Sequence, residues 1–400
     1  MSIPQSGTPT YLKLLNKKKV LQTIIGGDDY YSRASLAKEL NISKPTISSL
    51  VDELVKEGWL IEKESNETAH GGGRKPVHLF FNKVCKYTIG VDIGGTHTEI
   101  AIMNLEGELI ITGKLFTQQA LKDDFIHLLV TEINRLLRVS GLINTDILSL
   151  AIGAPGITDT EKGIVIEAPS LQWDNYPLQE KVSSYFPFPV YIENDVNMAV
   201  LGEYWKGSAK DKSNVVLITI GTGVGCGIII NRELYRGFQF AAGEIGYMIT
   251  NKDQAGQHFE TMFDGFGFLE NHVGGPAIVK QYIKNSTTTV NGEYSAEMVF
   301  NEAIQGETYA TKVINEALDH IAVSLINVAA LLNPDCIVLG GGISKSGEWF
   351  LPKLQHKIAM YLPKQSQTEV LLTQLPQVAL IGATALCLRN HELFSIEKKF

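Results

Sequence analysis

Apolar positions in the N-terminal stretch first recur with a helical period and then with a strand period. The run RASLAKEL puts Leu36, Ala37 and Leu40 on one helical face, and Ser32 before it is an N-cap residue type. After the turn Asn41-Ile42-Ser43, the run KPTISSLVDELVKEG repeats Ile47, Leu50, Val51, Leu54 and Val55 at i, i+3, i+4, i+7 and i+8. Ser43 is placed to cap this second helix, and Pro45 sits in its first turn, where a missing N–H costs nothing. The two stripes predict helices buried against each other. Gly58 ends the second helix, Trp59-Leu60-Ile61 begins a strand, and HGGGRKPVHLFF reads as a flexible turn with a returning strand.

Two short amphipathic helices alone would be a generic hairpin. The cap-turn-cap spacing followed by a basic ribbon is more specific, and it predicts a winged helix-turn-helix DNA-binding domain over residues 1–80. Lys44, Thr46, Ser48 and Ser49 would stay exposed at the N-terminus of the second helix, short polar side chains suited to a major groove. Arg74 and Lys75 would form the wing tip.

From Lys86 the pattern becomes one of strands and glycine turns. YTIGVDIGGTHTEIAIMNLEGELI predicts a hairpin with Asp92 at a strand end and Gly94, Gly95 and Thr96 in the turn. Glycines there let backbone N–H groups approach a phosphate without interference from a Cβ. A second glycine loop (Gly221, Thr222, Gly223, Gly225) follows the strand VVLITI and precedes another strand, so it is neither a Walker loop nor a dinucleotide fingerprint. A third (Gly340, Gly341, Gly342) follows CIVLG. Singly each reads as a tight turn; together they point to a cleft holding a nucleotide.

Charge sharpens the division. The chain of 400 residues is 44% hydrophobic and carries a net charge of −8. Residues 1–80 hold 11 Lys/Arg against 9 Asp/Glu, and the rest carries −10. The head's positive charges cluster at Lys17-Lys18-Lys19, Lys44 and Arg74-Lys75, as phosphate neutralisation requires. The length calls for two or three folding units. Cys85, Cys226, Cys336 and Cys387 form no CxxC pair and read as buried free thiols. No apolar run of about 18 residues predicts a membrane span, and the start lacks the marks of a signal peptide, so a cytoplasmic location is expected.

Residues 86–390 resemble the ROK family of repressors and sugar kinases, an actin/hexokinase-like α/β fold in two lobes. DIGGTHTEIAI is similar to its first phosphate motif, TIGTGVGCGIIINRELYRG to its second, and DCIVLGGGIS to its adenosine motif. GAPGITDTEKGIVIEAPSLQWDNYPLQE and YIENDVNMAVLGEYWKG are similar to its sugar-side segments. With the winged head, nearly the whole chain resembles ROK transcriptional repressors of the xylose-repressor type. The resemblance implies lobes at 81–206 and 207–380, the first joined by a C-terminal helix near 380–393. It implies that Asp195 is the catalytic base if a kinase reaction survives, and that Asn194, Asp195, Glu244, Tyr247 and Glu270 contact sugar. Tyr247 replaces the histidine of the family's zinc site, whose three cysteines fall on Thr261, Phe263 and Phe268. No zinc is therefore expected, and Phe259, Met262, Phe263, Phe266 and Phe268 would anchor the loop by burial. His258 and His272 read as surface residues, and Ser170 stands where many members have asparagine.

The resulting expectation is a sugar-responsive repressor with operator DNA and a small carbohydrate as partners, acting as a homodimer or homotetramer. The alternative is an ATP-dependent sugar kinase that keeps a DNA-binding head and uses Mg-ATP. A sugar-binding scaffold without DNA binding fits the basic wing poorly.

Overall fold

The computed structural model describes residues 8–27, 30–64, 77–257, 267–285, 294–363, 366 and 368–395. The head comprises α1 (Pro9–Gly26), α2 (Arg33–Glu39), α3 (Lys44–Lys56), β1 (Leu60–Glu64) and β2 (Val77–Phe81), the two strands antiparallel. Ser32 and Ser43 cap α2 and α3, and Gly58 leaves α3 at a φ of 86°. Ile47, Leu50, Val51 and Leu54 are buried, with Val55 packed against them.

The sequence pattern missed α1, which buries Val20, Leu21 and Ile24 in the same core. This corrects the reading of Lys17 and Lys18 as part of a phosphate patch, while Lys19 is exposed. Lys17 is buried and paired with Glu53 (2.9 Å) and Glu57 (2.6 Å), while Lys18 donates to Ser395 at 3.0 Å. Arg74 and Lys75 lie outside the described residues.

The body's first sheet contains β3 (Tyr87–Ile93), β4 (His97–Asn104), β5 (Leu109–Phe116), β6 (Ile147–Ala154) and β10 (Val190–Asn194). Between these strands run α4 (Thr117–Lys122), α5 (Phe125–Ser140), a small sheet of β7 (Ile157–Asp159), β8 (Ile164–Ala168) and β9 (Trp173–Tyr176), and α6 (Leu178–Ser183). The helix α7 (Asp195–Lys206) leads to a second large sheet of β11 (Val215–Ile220), β12 (Val224–Ile230), β13 (Glu233–Leu234), β14 (Cys336–Gly340) and β15 (Glu369–Leu372). Inserted in it are α8 (Lys252–Gln257), α9 (Glu270–Val273), α10 (Gly275–Asn285), α11 (Ala296–Ile304), α12 (Thr308–Leu332) and α13 (Gly347–Tyr361); α14 (Val378–Arg389) follows.

The two sheets share one topology. In each, three antiparallel strands form a meander, and the fourth and fifth strands run parallel to the first, giving orders β5-β4-β3-β6-β10 and β13-β12-β11-β14-β15. The first hairpin turn of each sheet holds a glycine motif, at 94–96 and 221–223, so the motifs occupy equivalent positions.

Between the sheets lie α7 and α14, whose Met198, Val200, Leu201, Ala383, Leu386 and Cys387 share a core with Val215, Leu217, Cys336 and Val338. The helices cross closely because Gly202 and Gly382 lack side chains: a Cβ on Gly382 would strike the carbonyl of Met198. Among the described residues one helix, α12, is long and apolar enough to cross a membrane, which the sequence pattern did not flag, but most of that stretch is buried within the second lobe. The head docks on the body through Leu105, Leu393 and the rings of Trp59, Phe81, His391 and Phe394.

Candidate functional site

At the head's exposed end, Lys44, Thr46 and Ser49 face solvent at the start of α3. Ser48 is half-buried, and its carbonyl accepts from Arg33 at 3.2 Å. Arg33 in turn pairs with Asp52 (2.7 Å) and Glu62 (2.9 Å), which fixes α3 against the ribbon.

In the body, the chain leaves β10 at Asn194 and enters α7 at Asp195, beside the end of β3 where Asp92 sits. Asn194 caps α7: its Oδ1 accepts from the N–H groups of Val196 (3.0 Å) and Asn197 (2.9 Å), and its Nδ2 donates to the Gly156 carbonyl at 2.9 Å. Much of its amide is thus committed to structure. Capping by Asn194 frees the Asp195 carboxylate for the cleft.

Burial, then the nearby Asp92 and Glu244 carboxylates, push Asp195 up to about 7 despite the Val196 N–H that it accepts. Asp92 is pushed up to about 6 by burial and Glu99. Glu244, at the open side of the group, is raised by loss of water in the cleft and by Glu167. Glu270 is raised by burial and Glu244, against the pull of the Val224 N–H. The Tyr247 phenol is raised by burial and by Glu244, Glu270 and Glu167. The structure therefore brings Asp92, Asp195, Glu244, Tyr247 and Glu270 into one electrostatic group.

Sequence reasoning missed three members of this neighbourhood. Glu167 stands on β8 opposite Ile157, next to the Gly156 that holds Asn194, and the alternation in IVIEA was the available signal. Arg236 donates twice, at 2.8 and 2.6 Å, to the fully buried Glu193, which also accepts from the Asn194 N–H and Asn197 Nδ2. This pair ties the loop leading to Glu244 to the base of the Asn194-Asp195 turn. Gln118 donates to the carbonyls of Gly95 (3.0 Å) and Ser170 (3.2 Å), bridging the first glycine turn to the segment where Ser170 replaces asparagine.

The glycines divide by role. Gly94 closes its turn onto His97 at 2.9 Å, Gly95 and Thr96 are exposed, and nothing stands within 4 Å of a Cβ built on Gly95. Gly221 bonds Gly223 (2.9 Å), Thr222 is exposed, and the Gly221 carbonyl accepts from Gly275 at 2.8 Å. Gly341 has a φ of 78° and abuts the Ile220 carbonyl, with Gly342 exposed beside it. Two assignments need correction. Gly225 lies in β12 and makes room for Val196, and Gly340 is a buried strand residue against Leu217 and Thr219. An open groove of about 810 Å³, lined by Gly275, Pro276, Val279, Ile283, Tyr294 and Ala296, runs beside the second turn.

Residues 88–390 match the ROK family, and residues 15–61 match the winged helix-turn-helix DNA-binding family. The chain belongs to the ROK family. It is 33% identical over 365 residues to the xylose repressor of Caldicellulosiruptor bescii, covering 88% of this chain and 89% of that relative. It is 32% identical over 292 residues to the glucokinase of Halalkalibacterium halodurans, covering 70% and 87%. Among solved structures, a ROK family transcriptional regulator, a homolog of the E. coli MLC protein, superposes with a TM-score of 0.81 over 96% of this chain and 97% of that one. At 24% identity this shows a shared fold, head included.

Against the ROK zinc pattern, Tyr247, Thr261, Phe263 and Phe268 offer neither thiolate nor imidazole. Among the described residues, no group of three or more His, Cys, Asp or Glu could hold a metal ion. Of the aromatic anchors only Phe268 falls within the described residues; Phe259, Met262, Phe263, Phe266 and His258 lie outside them. His272 is half-buried rather than superficial, its ring 4.3 Å from that of His320.

Proposed function

We propose that this ROK protein is a sugar-responsive DNA-binding transcriptional regulator that represses genes of carbohydrate use. The observation that carries the reading is the joining of a winged head to a cleft where five carboxylates and a phenol gather. In the empty site these groups repel one another. A neutral polyol relieves them by donating hydroxyl hydrogens, whereas an anionic sugar phosphate adds to the repulsion. The ligand is therefore a neutral sugar, and D-xylose is the first to test because the similar C. bescii protein is a xylose repressor.

Lys44, Thr46, Ser48 and Ser49 face the major groove, and Arg74 and Lys75 hold phosphates. Helix-turn-helix readers work on paired half-sites as two-fold assemblies, so a homodimer, or a homotetramer built from dimers, binds the operator. Such a head works where the chromosome is, which in a bacterium is the cytoplasm. The domains divide at 1–80, 81–206 with α14, and 207–380.

The test is operator binding by fluorescence anisotropy with D-xylose, other neutral monosaccharides and their phosphates. A shift in DNA affinity with one neutral sugar is expected; no shift with any of them refutes the reading. A second reading, a sugar kinase, is favoured by one observation: Asp195 titrates near neutrality beside open glycine turns, as a general base would. Mg-ATP would lie along Asp92, Gly94, Gly95, Thr96, Gly221, Thr222, Gly223, Gly341 and Gly342, with adenine in the groove by Gly275. Sugar-dependent ATP turnover at about 1–100 per second would make that reading primary.

A further inference from the structure

Two short arms carry the sugar-facing groups of the second lobe. One runs from Glu244 through a single 3-10 turn (Ile245–Tyr247) to Thr250; the other runs from Phe268 into α9, which is four residues long. Elements this short do not hold themselves in place, because helix nucleation is unfavourable and a single turn gains few bonds. In the ROK pattern zinc would join such arms, but the residues here do not fit it.

At that place a side chain of α12 reaches both arms. His320 is buried, 6% exposed, on a 25-residue helix that runs through the core. Its Nδ1 shares a hydrogen bond with Thr250 Oγ1 at 2.6 Å. Its ring lies against that of His272 at 4.3 Å, with the Phe268 ring 6.1 Å away and itself 4.4 Å from His272. His272 Nδ1–H donates to the Phe268 carbonyl at 2.7 Å, which sets the orientation of the ring that meets His320.

We propose that His320 is a positioning residue that takes over the mechanical part of the ROK zinc, holding the Glu244 arm through Thr250 and the Glu270 arm through His272 and Phe268. Burial, helped by His272, lowers His320 to about 4, so at neutral pH it is an uncharged post. Two imidazoles, each with Nδ1 engaged, give too few donors for a tetrahedral metal site, and the stack replaces coordination with packing and one hydroxyl bond. The proposal rests on the sugar-site reading for its purpose, but its geometry can be tested apart from any sugar.

The experiment is hydrogen–deuterium exchange on the full chain, following 244–250 and 267–273 in Thr250→Val, Thr250→Ser and His320→Ala. Thr250→Val removes only the hydroxyl bond, so exchange in 244–250 should rise about tenfold while 267–273 keeps its rate. Thr250→Ser should restore the wild-type rate, and His320→Ala should loosen both arms. In parallel, D-xylose titrated against operator binding should need about tenfold more sugar in Thr250→Val and the wild-type amount in Thr250→Ser. Wild-type exchange in Thr250→Val, an unchanged second arm in a folded His320→Ala, or loosening of both arms by EDTA in the wild type would overturn the proposal. Glu244→Ala separates the two readings: a sugar response that survives it removes the sugar-site reading, while the exchange rates still judge the post.

Discussion

The wall of the cleft that we propose faces sugar is made of side chains, and the wall that we propose faces phosphate is largely bare backbone. On the first wall burial raises four groups and their neighbours add to it: Asp92 and Glu244 act on Asp195, Glu167 on Glu244, Glu244 on Glu270, and Glu244, Glu270 and Glu167 on Tyr247. On the second, Gly95, Thr222, Gly341 and Gly342 expose main chain at turns, and the cation Lys345 is engaged with Glu297 at 3.0 Å. A crowd of like charges raises the energy of the empty site, and a polyol that donates hydrogens lowers it. That difference between empty and filled states is what a sensor needs, since a ligand shifts a conformational equilibrium only by its differential affinity. A backbone wall offers fixed shape and little of that leverage.

The largest expected effect comes from cutting the tie beneath the sugar wall. Arg236→Met leaves the Glu193 carboxylate, 0% exposed, without its cation. Removing one partner of a buried pair costs about 3–5 kcal/mol, to be read from urea unfolding. On the other wall, Lys345→Met breaks a pair whose side chains are 67% and 59% exposed, and the loss should stay within about 1 kcal/mol. Equal losses from the two variants would mean that the walls are held alike and the contrast is wrong.

Next comes the contrast in ligand response. Glu244→Ala removes a charged acceptor worth about 1.5–3 kcal/mol per hydrogen bond, enough to weaken the sugar's effect on DNA at least tenfold. Gly95→Ser puts a side chain into open space where a phosphate would approach, and the sugar response should persist unchanged. If Gly95→Ser abolishes the response, nucleotide and sugar are read together and the kinase chemistry is part of the function.

How much of this was legible follows the same division. Caps, stripes and glycine turns are local signals, so α2, α3, both hairpin turns and the family resemblance could be read from the chain directly. The first helix was not, because Lys17-Lys18-Lys19 looks like a surface patch until Glu53 and Glu57 are brought against Lys17. In sequence Asn194 and Asp195 are neighbours of like chemistry; only the geometry shows that Asn194 spends its Oδ1 on the helix cap while Asp195 carries the raised carboxylate. Arg236 and His320 act on residues 43 and 70 positions away, and no periodicity carries that information. Gly225 and Gly340 share the composition of a phosphate loop but lie in strands, and at Gly225 a Cβ would strike Val196, a difference visible only in three dimensions.

The smallest expected effect is also the most direct probe of the crowded wall. Asp195 is held near 7 in the folded chain against 3.8 for an ordinary aspartate, so the fold keeps a proton that the unfolded chain releases. Its contribution to stability is fully present below about pH 4 and is lost as pH rises through 7. Asp195→Asn keeps the shape and cannot ionise, so it should raise the melting temperature relative to wild type more at pH 8 than at pH 5. Because the carboxylate is only partly shielded and shares its titration with Asp92, the gain at pH 8 should be on the order of 1 kcal/mol, or about 1 °C for a chain of this length. Asp92→Asn should show the same sign with a smaller gain, since Asp92 is raised only to about 6. Thermal melts of the three proteins at pH 5, 6, 7 and 8 decide the matter. A shift that does not vary with pH would mean that the Asp195 carboxylate is well solvated, and the sugar wall would then lack the repulsion on which its role as a sensor depends.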